Sequence, residues 1–260
     1  KVDSLVGMFA AGERPTGSRD PYGLRRSAQG MIRTLVDLPE LAGVDARVTL
    51  AQLVVKAQEP FADLISDSLE ENPQGYGTAL WLFVTERLRY VLEQRGHDIR
   101  NVRAVTHGAI REISPLVARR KLEVLAQAAD TDNFRQLAAL FKRVRNILGK
   151  NVPATAAVAS IDEQGQPLDA WLTEPAEQAL WQELRARRPV IDAAVAAGDG
   201  FKQAFEEAAK FGPSVARFFD DVMVMTDDAK LREARLRLMW ALEQLILQLA
   251  DVSEIVAQES

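Results

Sequence analysis

A chain of 260 residues with 47% apolar side chains is long enough to bury a sizeable core and to form more than one domain. The absence of cysteine excludes disulfides and thiolate metal sites, and the two histidines, His97 and His107, offer little for metal or triad chemistry. A net charge of −5 argues against a whole-surface attraction to nucleic acid, although local patches can still be basic.

Aromatics are sparse at 7% while Ala, Leu, Val, Glu and Arg abound, a balance that favours helices. No apolar run is long enough to span a membrane and no signal peptide opens the chain, which fits a soluble cytoplasmic protein without a membrane partner. The first residue, Lys1, stands in mid-pattern without an initiator Met, so the chain reads as a fragment of something longer.

Val2, Leu5, Val6 and Phe9 mark one side of a first helix that stops at Gly12. The stretch "GERPTGSRDPYGLRR" (12–26) is a stiff loop, and Asp20-Pro21 predicts a helix start with Asp as N-cap and Pro at the first helical position. Leu24, Met31, Ile32 and Leu35 mark the buried face of that helix, which is expected to end before Pro39. Residues 49–69 read as two helices, or one kinked at Pro60, and "NPQGYG" (72–77) as a turn. The helix that follows turns Leu80, Phe83, Val84, Leu88 and Val91 inward and stops at Gly96.

Shorter helices are expected over 98–108 and 114–129, then a long one capped by Asp132 and running to Leu148. The segment 151–166 lacks helical period and reads as a mobile loop. Helices resume near Pro167, with breaks expected at "RRPV", "AAGDG", "KFGPS" and "MTDD". No 20- to 50-residue repeat and no convincing sheet pattern is visible; the fold class is all-α.

Glycines followed by Arg25 and Arg26 at a helix start invite comparison with phosphate-binding loops. The spacing of "GERPTGS" is wrong for a Walker-type cradle, the lysine is missing and a helix precedes it, so a structural corner is the better reading. "GHDIR" (96–100) holds a His-Asp pair, but a metal site needs several converging ligands, and His97 and Asp98 read as a helix cap instead. Asp220 and Asp221 have no base or nucleophile beside them, and Phe218, Phe219, Val222 and Met225 read as core.

"DTDNFRQLAALFKRVRNILGK" (130–150) is more informative. Phe134, Leu137, Phe141, Val144 and Leu148 form a heptad-spaced core stripe, with Lys142 and Asn146 on one flank and Arg143 on the other side. Residues 119–150 carry eight basic side chains against three acidic ones, opposite in sign to the chain as a whole. Such clustering suits a polyanion contact, and it also suits a solvated helix face.

Three stretches taken together, "KVDSLVGMFAAGERPTGSRDPYGLRR" (1–26), "KRVRNILGK" (142–150) and "FFDDVMVMTDD" (218–228) followed by "RLRL" (235–238), resemble the β subunit of the bacterial tetrameric glycyl-tRNA synthetase. "KRVRNI" also resembles the DALR-like helical anticodon-binding domains of arginyl-type synthetases. The resemblance implies a C-terminal part of that subunit, with residues 1–45 ending an HD-like domain (Asp3 in its closing aspartate motif), 46–118 a helical connecting body and 119–260 an anticodon-binding bundle.

It further implies no catalytic residue, metal or cofactor in this chain, because ATP and Mg²⁺ serve the aminoacylation site of the separate α subunit. The implied partners are tRNA(Gly) and that α subunit in an α2β2 tetramer. Lys142, Arg143, Arg145 and Asn146 are the expected RNA contacts, with Arg119 and Arg120 further candidates. A helical scaffold that joins subunits without touching RNA is the competing reading.

Overall fold

The computed structural model describes residues 1–71, 75–151 and 170–255. Among them every regular element is helical, apart from one isolated bridge between Thr16 and Arg19. The chain forms two compact units, residues 1–122 and 123–260, whose division falls within one helix. The loop expected over 151–166 lies outside the described residues beyond Asn151, as does the expected helix restart near Pro167.

The first unit is built on α1 (Val2–Ala10), which packs against α2 (Leu24–Ala42), α3 (Leu50–Gln58) and α5 (Gly75–Glu93). Leu5, Val6 and Phe9 recur at helical spacing and are buried, and the Phe9 and Phe83 rings lie 5.2 Å apart. Helices on both sides of residue 45 thus share one core. A 3-10 turn at Glu59–Phe61 carries Pro60 and separates α3 from α4 (Ala62–Glu71). Residues 72–74 are not described, and Gly75, Tyr76 and Gly77 of the expected turn already belong to α5.

Two expected boundaries move. α2 begins at Leu24 rather than Pro21, after Gly23 takes a left-handed conformation at φ 64°. Asp20 still does the capping, from further upstream: its carboxylate accepts the Leu24 and Arg25 amides at 2.8 and 3.0 Å. α2 also continues through Pro39, because a proline in the last turn removes only one helical N–H. The stop is set by left-handed Gly43, whose amide and that of Val44 close onto the carbonyls of Pro39 and Leu38.

Asp98 caps α6 (Ile99–Val105) as expected, its carboxylate accepting the Arg100 amide at 2.7 Å. α7 (Pro115–Ala128) follows.

In the second unit α8 (Asp132–Leu148) buries the whole expected stripe and packs on α11 (Phe211–Asp221) and α12 (Ala229–Leu247). Thr131, not Asp132, is its N-cap residue; Asp132 sits in the first turn, where its charge favours the positive end of the helix dipole. α9 (Pro175–Ala197) lies against α10 (Phe201–Ala209), α11 and α12.

The break expected at "RRPV" does not occur. α9 runs through Pro189 because Leu180, Leu184, Ile191 and Ala194 keep one buried face in register on both sides of it. Packing along 23 residues outweighs a local loss of about 3 kcal/mol. Breaks do fall at Gly198-Asp199-Gly200 and after Asp221, and the one expected at "KFGPS" narrows to Lys210, with Pro213 inside the first turn of α11.

Thr49 forms a reciprocal capping box with Gln52 at the start of α3. Thr49→Ala is expected to cost about 1 kcal/mol and to speed amide hydrogen exchange at Gln52, whereas Thr49→Ser retains protection.

Candidate nucleic-acid interface

The outer face of α8 follows from its inner one. With the hydrophobic stripe buried, Arg135, Arg143 and Asn146 are exposed and Lys142 is half-buried, with exposed Lys150 just past the helix end. Arg143, Asn146 and Lys150 stand at i, i+3 and i+7, one continuous stripe on a helical surface, so Arg143 shares the exposed side of Asn146 instead of lying opposite it as the sequence pattern suggests. Lys142, Arg143, Asn146 and Lys150 make no ion pair or side-chain hydrogen bond among the described residues. Arg135 faces Asp130 and Asp132 at 3.9 and 3.5 Å in pairs open to water, which are weak.

Arg143 has a different neighbour. Its guanidinium carbon lies 4.2 Å from the centroid of the Phe219 ring on α11, and that ring is only 8% exposed.

Arg145 points to the other side of α8, into its own unit. It pairs with Asp251, reaches Glu243 at 3.4 Å and donates to Ser253 Oγ at 3.4 Å. Asp251 is buried and accepts the Ser253 amide at 3.2 Å, so Arg145 fastens α8 to the 3-10 turn at Val252–Glu254. Burial pushes the Glu243 carboxyl above its ordinary range, and the Arg145 charge opposes that shift.

Arg119 and Arg120 belong to the first unit. Arg119 donates to the Val36 carbonyl at 2.8 Å and is ion-paired with Glu40 and Asp37, while Arg120 meets Asp45 at 3.1 Å. Burial lowers the ammonium of their neighbour Lys121 to about 8. The eight basic residues of 119–150 are therefore divided: three lie in the first unit, Arg145 is held by carboxylates, and the others share the outside of α8 or its end.

A buried polar site escapes a linear reading. Glu177 is fully buried at 0% exposure and pairs with Arg235, itself 6% exposed. The other Glu177 oxygen accepts the Glu174 amide at 2.9 Å, completing a capping box at the start of α9. Arg235 Nη1 also donates to the Met223 carbonyl at 2.8 Å, and Arg232 donates to the Thr226 carbonyl at 2.7 Å. Asp228 caps α12 by accepting the amides of Lys230 and Leu231.

The 222–228 loop is thus pinned by the helix that follows it. This corrects the expected place of Met225. The chain leaves the helix after Asp221 and turns extended at Val222, so side chains alternate. Val222 and Val224 are buried, whereas Met223 is 75% and Met225 48% exposed. "E-x-x-E" at 174–177 signals the capping box in the sequence; nothing there signals that its second acid meets an arginine 58 positions on.

The opening loop is a corner. The backbones of Thr16 and Arg19 bond each other at 3.1 and 2.8 Å, and Arg25 donates to the Gly17 carbonyl at 2.8 Å. Its arginine therefore turns back on the loop's own carbonyl. Among the described residues no group of three or more His, Asp or Glu side chains could hold a metal, and no helix is long and apolar enough to cross a membrane.

In the second unit every described element is thus helical, and the long amphipathic α8 exposes an amide and cations that make no ion pair among the described residues. Residues 137–259 match the family described as DALR anticodon binding domain, and residues 1–107 match that described as glycyl-tRNA synthetase β subunit.

Relatives named glycine–tRNA ligase β subunit are similar to almost the whole chain. That of Acinetobacter baumannii is 34% identical over 97% of this chain and 33% of its own length. The Ralstonia nicotianae protein is 33% identical over 99% of this chain and 33% of its own length, and the Acidobacterium capsulatum protein 34% identical over 99% and 34%. The chain belongs to the glycyl-tRNA synthetase β-subunit family and spans about a third of the length of the curated relatives it matches.

Two outcomes test these interactions. Arg235→Met leaves Glu177 buried without its cation and is expected to cost about 3–5 kcal/mol in urea unfolding, with most of that loss recovered in Arg235→Met/Glu177→Gln. Hydrogen bonding from Arg119 holds the Glu40 carboxyl down to about 2 from an ordinary 4.5. Its stabilising contribution is complete above pH 4.5 and is lost as pH falls toward 2. Thermal melts at successive pH values should show Glu40→Gln flattening this acid limb.

Proposed function

We propose that the second unit binds the anticodon loop of tRNA(Gly) and so positions the RNA for glycylation by a partner α subunit in an α2β2 glycine–tRNA ligase of the cytoplasm. The observation that carries this reading is the outer stripe of α8. Lys142, Arg143, Asn146 and Lys150 meet no carboxylate among the described residues, in a unit that matches an anticodon-binding family.

The role is positional. Lys142 and Lys150 offer charge to phosphates, and Asn146 offers a donor and an acceptor to an unpaired base. Arg145 in the second unit, and Arg119 and Arg120 in the first, serve structure instead: each is held by carboxylates of its own unit. ATP and Mg²⁺ belong, in this reading, to the α subunit, where they supply the activation chemistry.

The internal pairing of these three arginines, on a chain of net charge −5, favours one alternative, a scaffold that joins subunits without touching RNA. Filter binding of tRNA(Gly) and a noncognate tRNA at two salt concentrations separates the two. RNA binding predicts preference for tRNA(Gly) at low salt; absence of binding there favours the scaffold.

Lys142→Ala and Lys150→Ala should each weaken both RNAs alike. Each should also reduce the slope of log affinity against log salt by about 0.7–0.9 for every phosphate that is no longer neutralised.

A further inference from the structure

Several arginines of the second unit meet aromatic rings or acids, and Arg143 differs from the rest. Arg187 also lies over a ring, that of Phe211, but at 5.9 Å, near the limit of such contacts, and it is ion-paired with Glu183 and Glu207. Arg143 lies at 4.2 Å from the Phe219 centroid, is exposed, and makes no carboxylate contact among the described residues.

A guanidinium is planar. When one face rests on a buried ring, the opposite face is held toward solvent in a fixed plane. Unpaired RNA bases stack on such planes. Asn146 stands one turn further along the same exposed side, with an amide that can donate and accept at once. An amide so placed can meet neighbouring donor and acceptor atoms on a base edge.

We propose that Arg143, levelled by Phe219, is the stacking platform for one unpaired anticodon-loop base, and that Asn146 meets the edge of that base. The assignment rests on the RNA-binding reading above and assigns Arg143 to a base rather than to a phosphate. Charge and planarity then have separable effects: Arg143→Lys keeps the cation and removes the plane.

The test titrates the full 260-residue chain with a tRNA(Gly) transcript and with transcripts carrying a single abasic site at each anticodon-loop position in turn. Arg143→Lys should weaken binding of the intact transcript by about 5- to 150-fold, the range for one stacked base, with the salt slope unchanged. At one abasic position the unmodified chain should show a similar loss, and Arg143→Lys should add little to it, the signature of a direct contact. Asn146→Ala should lose base discrimination at that same position.

Binding by Arg143→Lys within twofold of the unmodified chain, or losses that multiply at every abasic position, would overturn the stacking assignment. If only the lysine substitutions weaken binding, RNA recognition stands and the platform falls. If the unmodified chain fails to bind the intact transcript at low salt, the RNA-binding reading itself falls and takes the platform with it. Because Arg143 is exposed, the lysine variant should keep the circular dichroism of the unmodified chain.

Discussion

The second unit depends on one ion pair withdrawn from water, Arg235 with Glu177. Two opposite charges at such burial tolerate each other only with further hydrogen bonds, and here each partner makes one. Glu177 takes the Glu174 amide at the start of α9, and Arg235 takes the Met223 carbonyl. A single contact therefore joins the first turn of α9, the loop after α11 and the middle of α12. It also fixes where α11 ends, and α11 carries the ring beneath Arg143.

Carboxylates sort the arginines into two kinds. Arg145 lies between Asp251 and Glu243, Arg187 between Glu183 and Glu207, and Arg119 against Asp37 and Glu40. These side chains hold elements together within their own unit. On a negatively charged chain, a face can attract a polyanion only where cations escape such pairing, because screening limits an exposed charge to about 8–10 Å. The outside of α8 meets that condition at Lys142, Arg143 and Lys150, which make no ion pair among the described residues.

The first unit uses the same side-chain chemistry to shape backbone. Asp20 caps α2 across the Gly23 turn, and Arg25, one residue into that helix, ties down the Gly17 carbonyl. What looks in sequence like a glycine-rich loop meeting basic residues at a helix start becomes a closed corner. A guanidinium that could have met a phosphate instead satisfies the loop's own carbonyl. The difference from an anion cradle lies in which partner is nearest.

The sequence by itself determined the all-α class, most helices, the inward stripe of α8 and the stops at Gly96 and Gly198, because periodicity and local conformational preference act over a few residues. It also carried the likeness to one synthetase subunit, which the relatives share. Only the tertiary structure decided that Pro189 sits inside a helix, that Met225 faces water, and which cations are consumed. Packing along α9 overrides a local penalty, the end of α11 changes the side-chain period from helical to alternating, and an arginine's partner is chosen by proximity in space. Arg145 and Asp251 are 106 positions apart, and Arg143 and Phe219 are 76, distances over which no linear pattern specifies a contact.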